Sequence, residues 1–275
     1  MCGKMFESAE NPKKEDGEQY HINLGSEDIS KYVLLPGDPD RIPKISQYWS
    51  EREEKAYHRE YRTHTGVYKG TNLSATSTGI GSPSAAIAVE ELSRLGSDTF
   101  IRVGSCGAIQ PDMELGDLII AKGSVRLEGA SKEYVRSEYP AIADHEVILS
   151  LISAAERLGF NYHLGIMAST DSFFTGQGRK GKDGYYQSWM EDLMPDLRRA
   201  NVTNFEMESS AILTLANLFG LRAGCVCTVF ADREGNKFEK KGENRASKVG
   251  NEAIKILNRM DQEKNGELWS PYSNR

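Results

Sequence analysis

The sequence is short of cysteine. It has four thiols in 275 residues, Cys2, Cys106, Cys225 and Cys227, too few for a disulfide scaffold. A zinc site is disfavoured, because the second Cys or His pair it would need is missing. Cys225 and Cys227 lie two apart in an apolar run, so they share one face of a strand. Buried, reduced thiols in a cytosolic protein are the expectation. Long apolar runs are also lacking, and none reaches the length of a membrane span. Met1–Gln19 is polar and charged, without the apolar stretch of a secretory signal. Positive charge is not in excess: 34 Lys and Arg stand against 40 Asp and Glu, a net charge of −6. That argues against general nucleic-acid binding, which needs a basic face, but leaves room for a small anion held by a few local arginines. No internal repeat or low-complexity linker interrupts the chain. The expected location is cytoplasmic, with neither membrane nor nucleic acid as partner.

What is present is an ordinary globular composition, 39% hydrophobic and 27% charged. Strands are expected at Tyr32–Pro36, Thr65–Lys69, Asn72–Thr78, Thr99–Val103, Asp117–Ala121, Gly165–Ser169 and Leu221–Phe230. Helices are expected from Ser84 to Leu95, over Asp144–Leu158, over Tyr186–Ala200 with an interruption at Pro195, over Glu208–Phe219, and over Gly242–Met260. Asp40 is placed to cap a helix after the Gly37-Asp38-Pro39 turn. Strands and helices interleave throughout, giving one α/β domain over residues 20–260. Residues 1–19 read as a mobile arm and residues 261–275 as a polar tail. Asp171–Tyr186 reads as a loop, rich in glycine and basic residues.

The stretch Thr99–Gln110 carries the first chemical signal. Arg102 sits inside a β-branched and aromatic run, where an unpaired guanidinium would be costly. Gly104-Ser105-Cys106-Gly107 follows. Two glycines permit a sharp turn that aims N–H groups at one point, so an oxyanion receptor and a plain tight turn with a structural ion pair both fit. A second glycine loop, Gly79-x-Gly81-x-x-Ser84, has the outline of a dinucleotide fingerprint. Two features count against it. The third glycine is a serine, and Asp98 precedes its strand instead of ending it.

Four separated motifs occur in order: Pro36-Gly37-Asp38-Pro39-Asp40-Arg41, Ser77-Thr78-Gly79-Ile80-Gly81, Arg102 through Gln110, and Phe205-Glu206-Met207-Glu208-Ser209. Together, over roughly His21 to Met260, they resemble the hexameric nucleoside phosphorylases. Ser124–Ser131 and Gly176-Gln177-x-Arg179 resemble the uridine branch of that family. The resemblance implies a single-domain, three-layer α/β fold with a mixed central sheet. It implies a pentosyltransferase in which inorganic phosphate, as co-substrate, attacks the anomeric carbon of uridine and releases uracil and ribose 1-phosphate. It implies a homohexamer built as a trimer of dimers.

The resemblance also implies roles. Phosphate would be held by Gly37, Arg41, Arg59, Arg102 and Ser105, with Arg59 donated by a neighbouring subunit. Ribose would be held by Met207 and Glu208, and by His21 from a neighbour. The base would meet Phe173, Gln177 and Arg179, with Arg233 near the leaving group. Arg102, Glu208 and Arg233 would carry the catalytic burden. No cofactor is implied, although the family can carry a potassium ion between subunits near Glu60, Ile80 and Ser84. Phe230 and Ala231 depart from the aliphatic pair usual in the uridine branch. Asp232 fits either branch: purine-cleaving relatives use an aspartate near this point to protonate the base, and here it could instead pair with Arg233. The alternatives are a purine or broad-specificity phosphorylase, a nucleosidase using water, and a non-catalytic nucleoside-binding protein.

Overall fold

A computed structural model describes residues 9–14, 17–264, 266 and 268–270. In chain order the elements are β1 (Tyr32–Leu35), α1 (Arg41–Ser46), β2 (Glu51–His58), β3 (Tyr61–Tyr68), β4 (Thr71–Thr76), α2 (Ser82–Arg94), β5 (Thr99–Ala108), β6 (Leu118–Arg126), α3 (Ala130–Tyr134) and β7 (Ala141–Ile142). They continue with α4 (His145–Leu158), β8 (Tyr162–Ser169), α5 (Leu193–Arg199), β9 (Val202–Glu206), α6 (Ser209–Leu218), β10 (Arg222–Asp232), β11 (Lys237–Phe238) and α7 (Arg245–Glu263). All strands join one mixed sheet.

Alternation along the strands builds the layers, because successive side chains point to opposite faces. Leu34, Ile101 and Val103 face α1, α4 and α7. Val33, Leu35 and Phe100 face α2 and α6. The sheet is therefore covered by helices on both faces, as expected for a three-layer α/β domain. It does more than expected at one end. Parallel pairing of β5 with β10, β6 with β8 and β8 with β9, and antiparallel pairing of β10 with β6 and β9 with β5, close a ring. Cys106, Cys225, Cys227, Ile119, Met167 and Val229 form a further apolar cluster from these strands. Cys225 and Cys227 share a face with sulfurs 3.7 Å apart, and these two and Cys106 are free, buried thiols.

Several local expectations are corrected. Gly104–Gly107 is not a turn: β5 runs straight through it. Asp40 makes no cap bond; the Asp38 carboxylate accepts the Asp40 N–H instead, at 2.9 Å. Pro195 does not break a long helix. Residues 188–190 form a separate 3₁₀ turn, and Pro195 sits in the first turn of α5, where its missing N–H has no helical partner to lose. Helix α4 behaves as its sequence suggests, with Asp144 accepting the N–H groups of Glu146 and Val147 and Gly159 left-handed at its end. The mobile-arm expectation falls largely on residues 1–8 and 15–16, outside the described residues, as does Cys2. Within the arm, Lys13 bridges Gln19, which is buried.

The C-terminal end is tied down more firmly than a polar tail suggests. Helix α7 continues to Glu263. Its Asp261 carboxylate accepts from Tyr32 Oη at 2.6 Å, Lys31 Nζ at 3.1 Å, and Arg222 Nη1 and Nη2 at 2.7 and 2.8 Å. Burial works to raise the Asp261 pKa, but Arg222, Tyr32 and Lys31 outweigh it and hold it well below the usual carboxylate range. A depressed carboxylate stabilises the fold above its unfolded pKa, and that contribution is lost as the pH falls. Asp261→Ala should cost about 2 kcal/mol near pH 7, less than a fully buried pair because Arg222 keeps Glu146 as a partner. Urea unfolding at pH 7 and pH 3 should show the gap from wild type narrowing in acid.

Candidate active site

The cavity follows from the way β5 changes neighbours. One edge of β5 pairs with β1 as far as Arg102 and with β9 only from Gly107. Between those points that edge is released, while β10 continues along the other edge. A crevice at such a switch point is where α/β sheets bind ligands. Here it is a cavity of about 740 Å³.

Its walls bring together most of the residues singled out from sequence. Gly37 and Arg41 arrive from the β1–α1 turn, Arg102 and Ser105 from β5, Met207 and Glu208 from the β9–α6 junction, Phe173, Gln177 and Arg179 from the loop after β8, and Glu60 and Ile80 from two further loops. The glycines of the β5 stretch matter for contact, not for turning. A Cβ on Gly104 would lie 2.9 Å from Cys227 Sγ and 3.0 Å from Arg102 Nη2, so the guanidinium packs directly on bare backbone.

Arg102 is held from one side by two carboxylates. Its Nε donates to Glu206 Oε2 at 2.8 Å, and its Nη2 pairs with Glu208 Oε2. Burial opposes its charge, but Glu208 and then Glu206 more than compensate, so it stays firmly protonated. Glu206 is saturated: it also accepts from Ser169 Oγ, from Ser209 Oγ at 2.7 Å, and from the N–H groups of Glu208 and Ser209 at 2.9 and 2.8 Å. It is an anchor for Arg102 and for the start of α6. Glu208 keeps more freedom, accepting the Gly81 N–H at 2.6 Å. That contact gives the Gly79–Gly81 loop a role unrelated to dinucleotides, with both glycines at positive φ. Burial, with Glu206 nearby and against the pull of Arg102, pushes the Glu208 carboxyl up from 4.5 to about 7.

Arg41 is the complementary cation. Its Nη1 donates to Val103 O at 3.2 Å, while its buried Nε has no hydrogen-bond partner. Burial, and then repulsion from Arg102, lower its pKa. Two guanidiniums of one sign, one of them with an orphaned donor, make a receptor for an anion with several oxygens.

At the other end Arg179 stacks over the Phe173 ring, 4.0 Å from its centroid, and donates to Phe173 O and Gln177 Oε1, both at 2.6 Å. The second contact fixes which way the Gln177 amide points. Burial, then the nearby charge of Arg233, push Arg179 down to about 10. Arg233 does not line the cavity. Its Nη1 supports the loop from beneath by donating to Gln177 O at 2.8 Å.

Asp232 is also corrected. It makes no ion pair with Arg233; its Oδ1 accepts the N–H groups of Glu234 and Gly235 at 3.1 and 2.7 Å and so caps the turn between β10 and β11. It does not line the cavity. Nor do His21 and Arg59 of the same chain. His21 Nδ1 lies 2.6 Å from Glu91 Oε1, and Arg59 lies over the Tyr20 ring, 5.7 Å from its centroid. Ser84 lies behind the wall, donating to Glu60 Oε1 at 2.9 Å and contacting Thr78 O. Among the described residues, no cluster of three or more His, Cys, Asp or Glu side chains is gathered to hold a metal ion. The sequence reading missed Phe238, Lys240 and Glu243, which also line the cavity. Phe238 ends the two-residue strand β11, and Lys240 and Glu243 follow in the irregular segment before α7; neither piece is long enough to show a periodicity that betrays where it folds.

Residues 31–260 match the family described as the Phosphorylase superfamily. The chain is similar to a uridine phosphorylase of Thermococcus kodakarensis, 62% identical over 271 residues, covering 98% of each chain. It is 38% identical to a uridine phosphorylase of Escherichia coli over 246 residues, 86% of this chain and 97% of the relative. It is also 42% identical to a guanosine phosphorylase of Halorubrum lacusprofundi over 211 residues, 77% of this chain and 82% of the relative.

Proposed function

Because the chain belongs to the phosphorylase superfamily, we propose that it is a uridine phosphorylase, a pentosyltransferase that cleaves uridine with inorganic phosphate. The observation that carries the reading is one cavity holding both the Arg41–Arg102 pair and the Gln177–Arg179 pair. The first suits a phosphate, the second a base with carbonyls and an N3–H.

In this mechanism Arg41, Arg102, Ser105 and the Gly37 backbone hold phosphate against the anomeric carbon. A phosphate oxygen forms the new bond to that carbon as the glycosidic C–N bond breaks, through an oxocarbenium-like state. The electron pair leaves with the uracil ring. Arg179 and the Gln177 amide donate to its carbonyl oxygens, where the negative charge develops. Arg233 positions that loop from below. Glu208 accepts from the ribose 2′ and 3′ hydroxyls while Met207 packs against the sugar. Fixing both reactants in this way removes much of the entropic barrier.

Three further elements belong to the same reading. His21 and Arg59 act in a neighbouring subunit's cavity, within a homohexamer assembled as a trimer of dimers; that neither lines the cavity of its own chain is consistent with this. Glu60, Ser84 and the backbone at Ile80 would hold a potassium ion at that boundary, and the Glu60–Ser84 contact is consistent with a small oxygen-lined site. The enzyme would serve pyrimidine salvage in the cytoplasm; among the described residues no helix is long and apolar enough to cross a membrane.

The raised Glu208 carboxyl gives a pH prediction. A folded-state pKa lifted to about 7 makes this group's contribution to stability greatest below its ordinary value and lost as the pH rises through 7. Binding competence runs the other way, because only the carboxylate accepts from both hydroxyls. The kcat/KM for uridine should therefore climb through pH 7, and Glu208→Gln should be weak and climb less steeply, keeping only the dependence that phosphate brings by ionising to its dianion in the same window. A pH–rate profile of both proteins checks this.

The substrate assignment is tested by phosphorolysis of uridine, cytidine, inosine and guanosine side by side. Uridine should be fastest by a wide margin. Preference for guanosine or inosine would move the chain to the purine branch, alongside its haloarchaeal relative.

A further inference from the structure

Lys240 and Glu243 reach the cavity from the segment between β11 and α7, and Glu243 lies close enough to Lys44, Arg41 and Lys240 for all three charges to lower its pKa, which puts this segment beside Arg41. Their charges are not equivalent. Glu243 Oε1 is engaged by Lys44 Nζ at 3.0 Å, which ties this segment to α1. Lys240 is exposed and, among the described residues, makes no ion pair. Deeper in the same wall lie Arg41, with its orphaned Nε, and Arg102. Lys240 acts on the Glu243 carboxylate at longer range than Lys44 does, without an ion pair to it. The charge therefore graduates from an exposed ammonium, held by no ion pair, to buried guanidinium forks inside.

That order fits a division of labour. A lysine ammonium is a strongly hydrated point charge on a flexible stem, suited to attracting an anion without stripping its water. Arginine forks suit the final, desolvated grip. We propose that Lys240 is the recruiting residue for the phosphate co-substrate: it draws the dianion to the cavity mouth and passes it to Arg41 and Arg102 without forming part of the final clamp. This inference rests on the phosphorolysis reading above. It assigns Lys240 to capture of phosphate, not to cleavage of the glycosidic bond.

Capture by an exposed charge is screened by salt, whereas a structural role is not. At low ionic strength Lys240→Ala should lower kcat/KM for phosphate about 3-fold, and Lys240→Glu about 10-fold. Added sodium chloride should slow wild type most, the alanine variant less and the glutamate variant least, because Arg41 and Arg102 still attract phosphate in all three, so that the three converge. Their kcat values at saturating phosphate should agree, as should their KM values for uridine. Equal phosphate kcat/KM in all three at low salt would overturn the proposal, and so would a loss that persists unchanged at high salt or falls on kcat. If wild type cleaves uridine without phosphate, both this inference and the reading beneath it fail. If wild type needs phosphate while the Lys240 variants behave like it, this inference alone fails.

Discussion

Arg102→Ala is expected to lower kcat/KM for phosphate about 100-fold or more. Arg102 would supply charge-assisted hydrogen bonds to the nucleophile, worth roughly 1.5–3 kcal/mol each. The same change strands two buried carboxylates, since Glu206 and Glu208 both lean on this guanidinium. Leaving buried charge unpaired costs about 3–5 kcal/mol, so the alanine variant should also unfold at lower denaturant. Arg102→Lys separates the two effects. It keeps the positive charge that the carboxylates need but loses the fork. Stability should largely return while phosphate kcat/KM stays depressed. Steady-state kinetics and urea unfolding on both variants make the comparison. A lysine variant with wild-type kinetics would show that charge alone suffices.

The second large effect is expected at the base. Gln177→Ala or Arg179→Ala should reduce kcat/KM for uridine about 100-fold or more, because a site built to hydrogen-bond its substrate discriminates strongly through those bonds. The two losses should be far from additive. Arg179 holds the Gln177 Oε1 at 2.6 Å and so orients the amide; removing either partner disables part of the other, and coupled residues share their effects. Asp232→Ala, by contrast, should leave the uridine-to-inosine ratio unchanged, because its carboxylate serves the β10–β11 turn and lies off the cavity wall. Measuring both substrates on the three single variants and the Gln177/Arg179 double variant decides it. A collapse of activity in Asp232→Ala, with Gln177→Ala unharmed, would reverse the assignment.

Much of the site was legible because its residues occur in short motifs at element ends. Gly37 to Arg41 follows a strand, Met207-Glu208 precedes a helix, and Gln177-x-Arg179 lies in a glycine-rich loop. The strand–helix order likewise pointed to the α/β class. What stayed hidden was set by partners distant in sequence. Nothing local says that β5 continues through Gly104 and Gly107. Those glycines look like turn residues until Cys227 and Arg233 are seen packed where a side chain would be. Closure of the ring depends on β9 returning to pair with β5 at Gly107 and Ala108, a contact almost a hundred residues apart. Asp232 could be read as a purine acid or a partner for Arg233, because a turn cap depends on the backbone two and three residues later. Lys240 and Glu243 sit in a segment with no regular pattern, so only the folded chain brings them to the cavity.

The central claim is that the arginine-lined end of the cavity holds the nucleophile, and that the nucleophile is phosphate. The direct measurement is the product of uridine cleavage with and without inorganic phosphate, followed by phosphorus and proton NMR. The account predicts no appreciable cleavage without phosphate, and with it ribose 1-phosphate formed one for one with uracil. Cleavage at an undiminished rate in phosphate-free buffer, releasing free ribose, would contradict it.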